Sequence, residues 1–510
     1  MDNKILTEKS IVKQIDWAIT FVPLLGLIVL CGLFIGMPEQ SKFMLVMIRD
    51  YLCDEFGLYF IFLGLFVIIL CLYIAFSKYG AIKHGNVDKP AYGQLTWGIM
   101  IYTSTMAADI LFYSICEWSM YMSEPYVQNL GEPYVWAPVF PLLHWGPSVW
   151  GVYILLAVAF GFMLHVRGRT KQKYSQACRP ILGSRVDGPL GRAIDLIGIC
   201  CMLCAMSTAF SVSAPLMAGT FARTFGISES VGFSIVVLIL TCIVWTAAVL
   251  MGMKGISKLS NISAVIFLAL LAYVLFVGGE ARFVLETSWS TLGTYVQNLI
   301  GLSTWTDPLR TEMFPQYWTV FYWANWIPWG LATPVFIAAI SKGRTIKEMI
   351  LGAFGYGIAG TYTSFFILGH YGLAQQMKHG IDIAGTIADG IDPAVAIMMI
   401  LETIPFPTIA IFLLGINMML FYATTFDAIT LVTATYSHYE LEVGKEPDKK
   451  LRAYWGVLFI LLPIALLFSE NSIYNLQSVT IIVAFPISLI QIIILVSFFK
   501  DAKKHLTERK

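Results

Sequence analysis

The chain has 510 residues, of which 57% are hydrophobic and 13% charged, with a formal net charge of +1 and a mean hydropathy of +0.73. A soluble domain carries roughly 25% charged residues, so a water-soluble protein with a large core is excluded, and a net charge this small gives no handle for nucleic acid. The apolar residues come in runs of about 20 or more, long enough to cross a ~30 Å hydrocarbon slab as helices, so the composition predicts an all-α integral membrane protein.

The first apolar run, Trp17–Met37, follows a polar, lysine-bearing N-terminus. It is too long for a signal-peptide core and no small-residue cleavage site follows, so a retained helix is expected. Eleven further spans are expected at 57–77, 96–122, 140–166, 193–222, 229–252, 257–278, 317–341, 346–371, 406–436, 451–469 and 474–499. Alternate loops carry the basic residues: Lys78, Lys83 and Lys89 after the second span, Arg167 to Arg192 after the fourth, Lys254 and Lys258 after the sixth. Lys342, Arg344 and Lys347 follow the eighth, Lys445 to Arg452 the tenth, and Lys500 to Lys510 the last, whereas 123–139 and 470–473 have none. This alternation places both termini in the cytoplasm, with the cell (inner) membrane as the expected location.

The third span, IYTSTMAADILFYSICEW, holds Thr103, Ser104, Thr105, Ala107, Ala108 and Asp109. Polar and small residues here predict a helix that breaks. A carboxylate at this depth is costly and usually faces a cavity or an ion path. Asp109 is read as a proton carrier, as a counter-charge for a cation, or as a structural carboxylate bonded to a neighbouring hydroxyl. In the fourth span, HWGPSVWGVY (144–153) places Trp145, Tyr153 and Trp150 at about 0°, 80° and 140° on a continuous helix, hence on one face. An interfacial belt suits Trp145 but not Tyr153, about 12 Å deeper. His144 is read as an outer-end polar cap and Glu117 as a support for its helix or for a site. Cys200, Cys201 and Cys204 form no recognisable metal or redox motif and are read as small core residues.

Residues 280–302 are expected to form an amphipathic helix on the outer face. The eighth span, YWTVFYWANWIPWGLATP, carries Asn325, Pro328, Gly330, Thr333 and Pro334, so it too should break. It lies five spans after the third, as a repeat of spans 3–7 on 8–12 requires. Its Trp323, Trp326 and Trp329 are spaced three apart, near one stripe. Two aromatic faces within a bilayer can cage a quaternary ammonium ion, with cation–π attraction of about 2 kcal/mol or more per desolvated ring. Residues 379–398 are expected to form an outer loop with one short helix. The segments divide as 1–95 with two spans, 96–278 as repeat one, 279–316 as the external helix, 317–499 as repeat two, and 500–510 as a short tail.

FYWANWIPWGLATPVFIAAISKGRTIKEMI (321–350), HWGPSVWGVY and MKGISKLSN (253–261) resemble the betaine/choline/carnitine transporter (BCCT) family over nearly the whole chain. The resemblance implies twelve transmembrane helices in a LeuT-like inverted repeat, a homotrimer, and transport of trimethylammonium compounds without enzymatic activity. It implies that Trp145, Trp150, Tyr153 and Trp326 form the cage and that Trp323 and Trp329 line the path; Asn325 stands where the family usually has a third aromatic. FYATTFD is similar to the sodium-binding pattern of the family, which would put Phe421, Thr424 and Thr425, with Thr103 and Met106, at a Na⁺ site. Ser263 stands where the family's ion-independent exchangers carry arginine. Asp109 falls where proton-driven choline transporters carry aspartate. The expectation is therefore cation-coupled import of a quaternary ammonium compound, choline above the zwitterions, with H⁺ through Asp109 or Na⁺ through Thr424 and Thr425. A precursor–product exchanger and a substrate-gated sensor or channel are the alternatives. The short tail, KDAKKHLTERK, predicts little osmotic activation.

Overall fold

The computed structural model describes residues 15–104, 107–169, 171–250, 253–439, 441, 446–468 and 473–508. Among them there is no strand, only two isolated bridges, Ile15 with His438 and Lys83 with Thr345. The principal helices are α1 (Trp17–Gly36), α2 (Pro38–Glu55), α3 (Gly57–Phe76), α4 (Gln94–Thr103), α5 (Ala108–Met122), α6 (Val139–His144), α7 (Pro147–Gly161), α8 (Pro189–Phe225) and α9 (Val231–Leu250). They continue as α10 (Met253–Val277), α11 (Ala281–Thr304), α12 (Val320–Asn325), α13 (Thr333–Ile340), α14 (Ile346–Ser364), α15 (His370–His379), α16 (Pro407–Tyr436), α17 (Lys449–Phe468) and α18 (Ile473–Glu508).

Local sequence sets these boundaries. The long α8 starts with Pro189 in its first turn and ends at Gly226, held at φ +67°, the usual asymmetry of proline at the start and glycine at the stop. Thr345 opens α14 with a capping box: its hydroxyl accepts from the Glu348 amide at 3.1 Å, and Glu348 Oε2 accepts from the Thr345 amide at 2.8 Å. Gly343 just before it sits at φ +90°, and a Cβ there would meet the Pro90 backbone at 2.7 Å, so glycine is required.

Many large apolar side chains point outward, among them Leu25, Phe62, Leu95, Val265 and Phe276. In water such a surface would aggregate; around a bundle of long apolar helices it faces lipid. Among the described residues nine helical runs are long and apolar enough to cross a membrane, two of them (133–166 and 346–379) joining several of these helices, and ten if α4 and α5, bent by 68°, count as one crossing. Length and composition thus support nine or ten crossings among the described residues, which leaves the expected twelve unconfirmed. The eighth expected span is divided into short pieces, α12, a 3₁₀ turn at Pro328–Leu331 and α13, and the eleventh, α17, runs into residues outside the description. The two spans expected to break, the third and the eighth, are both broken.

Two features were not foreseen. The connection after α1 is itself the helix α2. The outer stretch after α15 contains two short helices, Ile383–Ala388 and Pro393–Glu402, rather than one. Helix α11 forms over the stretch expected to be helical, with Val284, Ser288, Thr291 and Tyr295 buried and Leu285, Trp289, Val296 and Ile300 exposed.

The basic loops gather at one end. His84 donates its amide to Arg344 O at 2.8 Å and accepts from Gly343 N at 2.7 Å. Arg344 donates to Gln94 Oε1 at 2.7 Å and Tyr92 O at 3.0 Å, with its guanidinium 4.1 Å from the Trp97 ring centre. It is a loop anchor, far from any aromatic cage. Arg167 and Arg169 grip Asp501 at 2.9 and 2.7 Å, and Arg167 also reaches Glu508 at 2.9 Å. Residues 500–508 are therefore the last turns of α18, clasped to the loop after the fourth span.

Candidate substrate site

The helix expected across HWGPSVWGVY is not continuous. Pro147 disfavours helical geometry at the residue before it, and Gly146 takes φ −99°, ψ −138°. A Cβ on Gly146 would lie 2.2 Å from Leu142 O and 2.3 Å from the Tyr362 hydroxyl, so only glycine fits. Trp145 therefore ends α6 while Trp150 and Tyr153 belong to α7, so the angles reckoned on one unbroken helix do not apply across Gly146. The Trp150 ring lies on Gly357 of α14, where a Cβ would stand 2.5 Å from it. Its N–H donates to Thr361 Oγ1 at 3.2 Å, and Tyr153 meets it edge-on at 6.2 Å.

The eighth span behaves likewise, so its three tryptophans do not form one stripe. Trp323 turns to α3 and covers Gly64, where a Cβ would be 2.2 Å from the ring; its indole N–H is buried without a partner. Trp329 rides half-buried on the 3₁₀ turn. Trp326, at the end of α12, turns inward and donates to His144 O at 3.0 Å.

Trp145 and Trp326 meet, ring centres 4.5 Å apart at 64°. Around Trp145 stand Phe365 at 5.4 Å, Tyr113 at 5.6 Å and Tyr322 at 6.1 Å. Phe365 arrives from a π-helical turn, Phe365–Gly369, an irregularity common at functional sites. The rings touch one another, and the neighbouring cavity, lined by Phe60, Gly64, Ser148, Val152, Trp323 and Trp326, measures ≈ 10 Å³. A trimethylammonium group can lie against these ring faces only if Trp145 and Trp326 part.

Helix α5 supplies the polar side. Asp109, Tyr113, Glu117 and Tyr121 recur every four residues, along one inclined row of its surface. Asp109 sits in the first turn, 8% exposed, its Oδ1 accepting from the Ile110 amide at 3.0 Å. A carboxylate at a helix N-terminus is favoured by the backbone dipoles, and the break at 104–107 creates that terminus. Glu117 is fully buried: Oε1 accepts from the Tyr121 hydroxyl at 2.6 Å and Oε2 from the Trp145 indole N–H at 2.7 Å. His144 is also fully buried, with Nδ1 2.9 Å from the Tyr121 hydroxyl and Nε2 3.2 Å from Thr319 Oγ1, its ring stacked on Tyr322 at 4.6 Å. It is a member of this network rather than an outer-end cap.

Of the residues expected at a sodium site, Thr103 donates to Ile99 O at 2.9 Å, Thr424 donates to Phe421 O at 3.0 Å, and Phe421 is buried against Phe267 at 5.5 Å. Thr425 is half-buried beside Thr424; Met106 lies outside the described residues. Asp427 of the same motif is paired with buried Arg452. Among the described residues no three His, Cys, Asp or Glu side chains come together as a metal site. The nine cysteines are all free.

The profile of the BCCT, betaine/carnitine/choline family transporter, matches residues 18–507. The chain belongs to this family. It is a transporter, not an enzyme, and a multi-pass membrane protein. It is 27% identical over 470 residues to the glycine betaine transporter OpuD of Bacillus subtilis, covering 91% of this chain and 90% of that one. It is 27% identical to the carnitine transporter of Acinetobacter baumannii (84% and 78% covered) and 27% identical to the high-affinity choline transport protein of Escherichia coli (89% and 67%). Relatives named for three different substrates stand at the same identity, so likeness alone does not choose among them. For this BCCT transporter the sequence had named Trp145, Trp326 and Asp109; it had not named Tyr113, Tyr322 or Phe365 as lining. The four-residue recurrence from Asp109 to Tyr121 was a readable signal for Tyr113. Nothing in the sequence signals the π turn that delivers Phe365.

Proposed function

We propose that this protein imports choline, or a similar quaternary ammonium cation, across the cell membrane by proton-coupled symport, with both termini cytoplasmic and a trimeric assembly like that expected of its family. The aromatic side is Trp145 and Trp326 with Tyr113 and Tyr322; Trp150 and Tyr153 join it when the helix breaks rearrange, and Trp323 and Trp329 flank the path. The observation that carries the reading is the row on α5: Asp109 lies one turn, about 6 Å, before Tyr113, whose ring meets Trp145. A cation held by the rings has a carboxylate one turn away.

Choline has no carboxylate, so bringing it into the bilayer costs an unpaired charge unless an anion meets it. Betaine and carnitine carry their own anion and gain less. The same Asp109 can exchange a proton for the cation. In proteoliposomes, a proton gradient is expected to drive choline uptake in the wild type. Asp109→Asn is expected to lower choline affinity about tenfold or more, to abolish stimulation by the gradient, and to leave betaine binding within about twofold. Uptake indifferent to pH but dependent on preloaded substrate would instead identify an exchanger, and the absence of saturable counterflow would identify a sensor or channel.

Sodium coupling is a second reading, favoured by one observation. The Ser263 hydroxyl on α10 is buried without a partner, one turn from Phe267, which packs on Phe421. An unused oxygen on a helix that packs against the one bearing Thr424 and Thr425 suits a hard cation. Choline uptake that rises with external Na⁺ at constant pH, and falls in Thr424→Ala, would favour it.

A further inference from the structure

The Trp145 indole is held differently from that of Trp326. Trp326 donates its N–H to a neutral carbonyl, His144 O. Trp145 donates to a carboxylate, Glu117 Oε2, at 2.7 Å. The geometry points to Glu117 as a positioning and specificity-setting residue for cation binding: its charge, passed through the Trp145 N–H, makes that ring a better partner for a quaternary ammonium ion. The inference rests on the proposed aromatic site.

The physical argument has two parts. A hydrogen bond to a carboxylate pulls the indole proton and pushes electron density onto the ring, deepening the negative potential on its face. Cation–π attraction depends on that potential, whereas contact with a neutral ligand of the same shape does not. The bond also fixes where the ring stands, because Trp145 lies at a helix break with no helix of its own beyond it.

Glu117 is tied into a hydrogen-bonded chain that fixes its carboxylate against Trp145. The Trp145 N–H can only donate, so Oε2 must accept. Tyr121 donates its one hydroxyl proton to Oε1, which leaves its oxygen to accept from His144 Nδ1–H. His144 Nε2 then accepts from Thr319 Oγ1–H. The chain Thr319–His144–Tyr121–Glu117–Trp145 is thus continuous, and both carboxylate oxygens of Glu117 are engaged, Oε1 by Tyr121 and Oε2 by Trp145. Among the described residues the one basic group within 4 Å of the Glu117 carboxylate is that same His144, Nδ1 to Oε1 3.5 Å.

The test separates charge from shape. Competition against labelled choline, on purified protein, gives the affinity of choline and of 3,3-dimethylbutan-1-ol, its uncharged isostere. Glu117→Gln keeps an acceptor and removes the charge. It is expected to weaken choline about tenfold, the difference between a charge-assisted and a neutral hydrogen bond, with the isostere changed less than about twofold. Trp145→Phe keeps a ring and removes the donor; it should show the same cation-selective loss, and the double variant should add little to either. Equal weakening of both ligands in Glu117→Gln, or a cation-selective loss absent from Trp145→Phe, overturns the inference; the second variant decides the matter if the first does not fold. Should Trp145→Leu and Trp326→Leu both leave choline affinity unchanged, the aromatic site itself is wrong and the inference falls with it. If they abolish binding while Glu117→Gln keeps the ratio, the inference falls alone.

Discussion

Single residues in this transporter take their roles from what their neighbours leave unsatisfied. Asp427 looked like part of a sodium motif, yet it is paired with buried Arg452, and such a pair exists because either partner alone would be a buried charge. His84 is the opposite case. It sits in the basic loop after α3, fully buried against Gly161, with neither ring nitrogen partnered. Burial, with His165 nearby, lowers its pKa from the ordinary 6.5 to about 3. The unfolded chain thus takes a proton that the folded one refuses. The contribution is complete above about pH 6.5 and is lost as pH falls toward 3, at roughly 1.4 kcal/mol per unit. The melting temperature of the wild type in detergent should therefore drop between pH 6.5 and 4.5, and His84→Leu should remove much of that drop. An identical drop in the variant would show that His84 titrates normally or elsewhere.

Elements here are defined by their interruptions. Pro147 and Gly146 are readable in the sequence, and the interruption they make means that angles on one continuous helix do not relate Trp150 and Tyr153 to Trp145. Helix periodicity describes only residues on one helix; across a break it carries no information. The break in the third span was legible from Thr103, Ser104 and the small residues before Asp109, since small and polar residues weaken a membrane helix in a recognisable way. The close approach of α7 to α14 was not legible, because it depends on Gly357 lying under Trp150. That contact makes a sharp prediction. In Gly357→Ala the new methyl group would meet the ring at 2.5 Å. Overpacking of this kind costs about 1–3 kcal/mol, to be read as a fall in thermal stability together with a reduced transport rate. Unaltered stability would mean that α7 and α14 are looser than described.

At the scale of the whole molecule, composition sufficed for the class; loop charge gives an expected topology, and the structure joins the loops after α3 and α13 and clasps the loop after the fourth span to the end of α18. The count of crossings was less legible, since the broken eighth span no longer looks like a span once folded. Also hidden were the polar chain from Thr319 to Trp145, built from residues on three segments far apart in sequence, and the clasp between Arg167 and the end of α18. What unites the molecule is two broken spans meeting at an aromatic contact, with a carboxylate-bearing half-helix beside it. The most direct measurement is choline affinity of the purified protein against Trp326→Leu. Loss of one desolvated ring, worth about 2 kcal/mol, predicts a dissociation constant raised by roughly 30-fold; an unchanged constant in a folded variant would contradict the account.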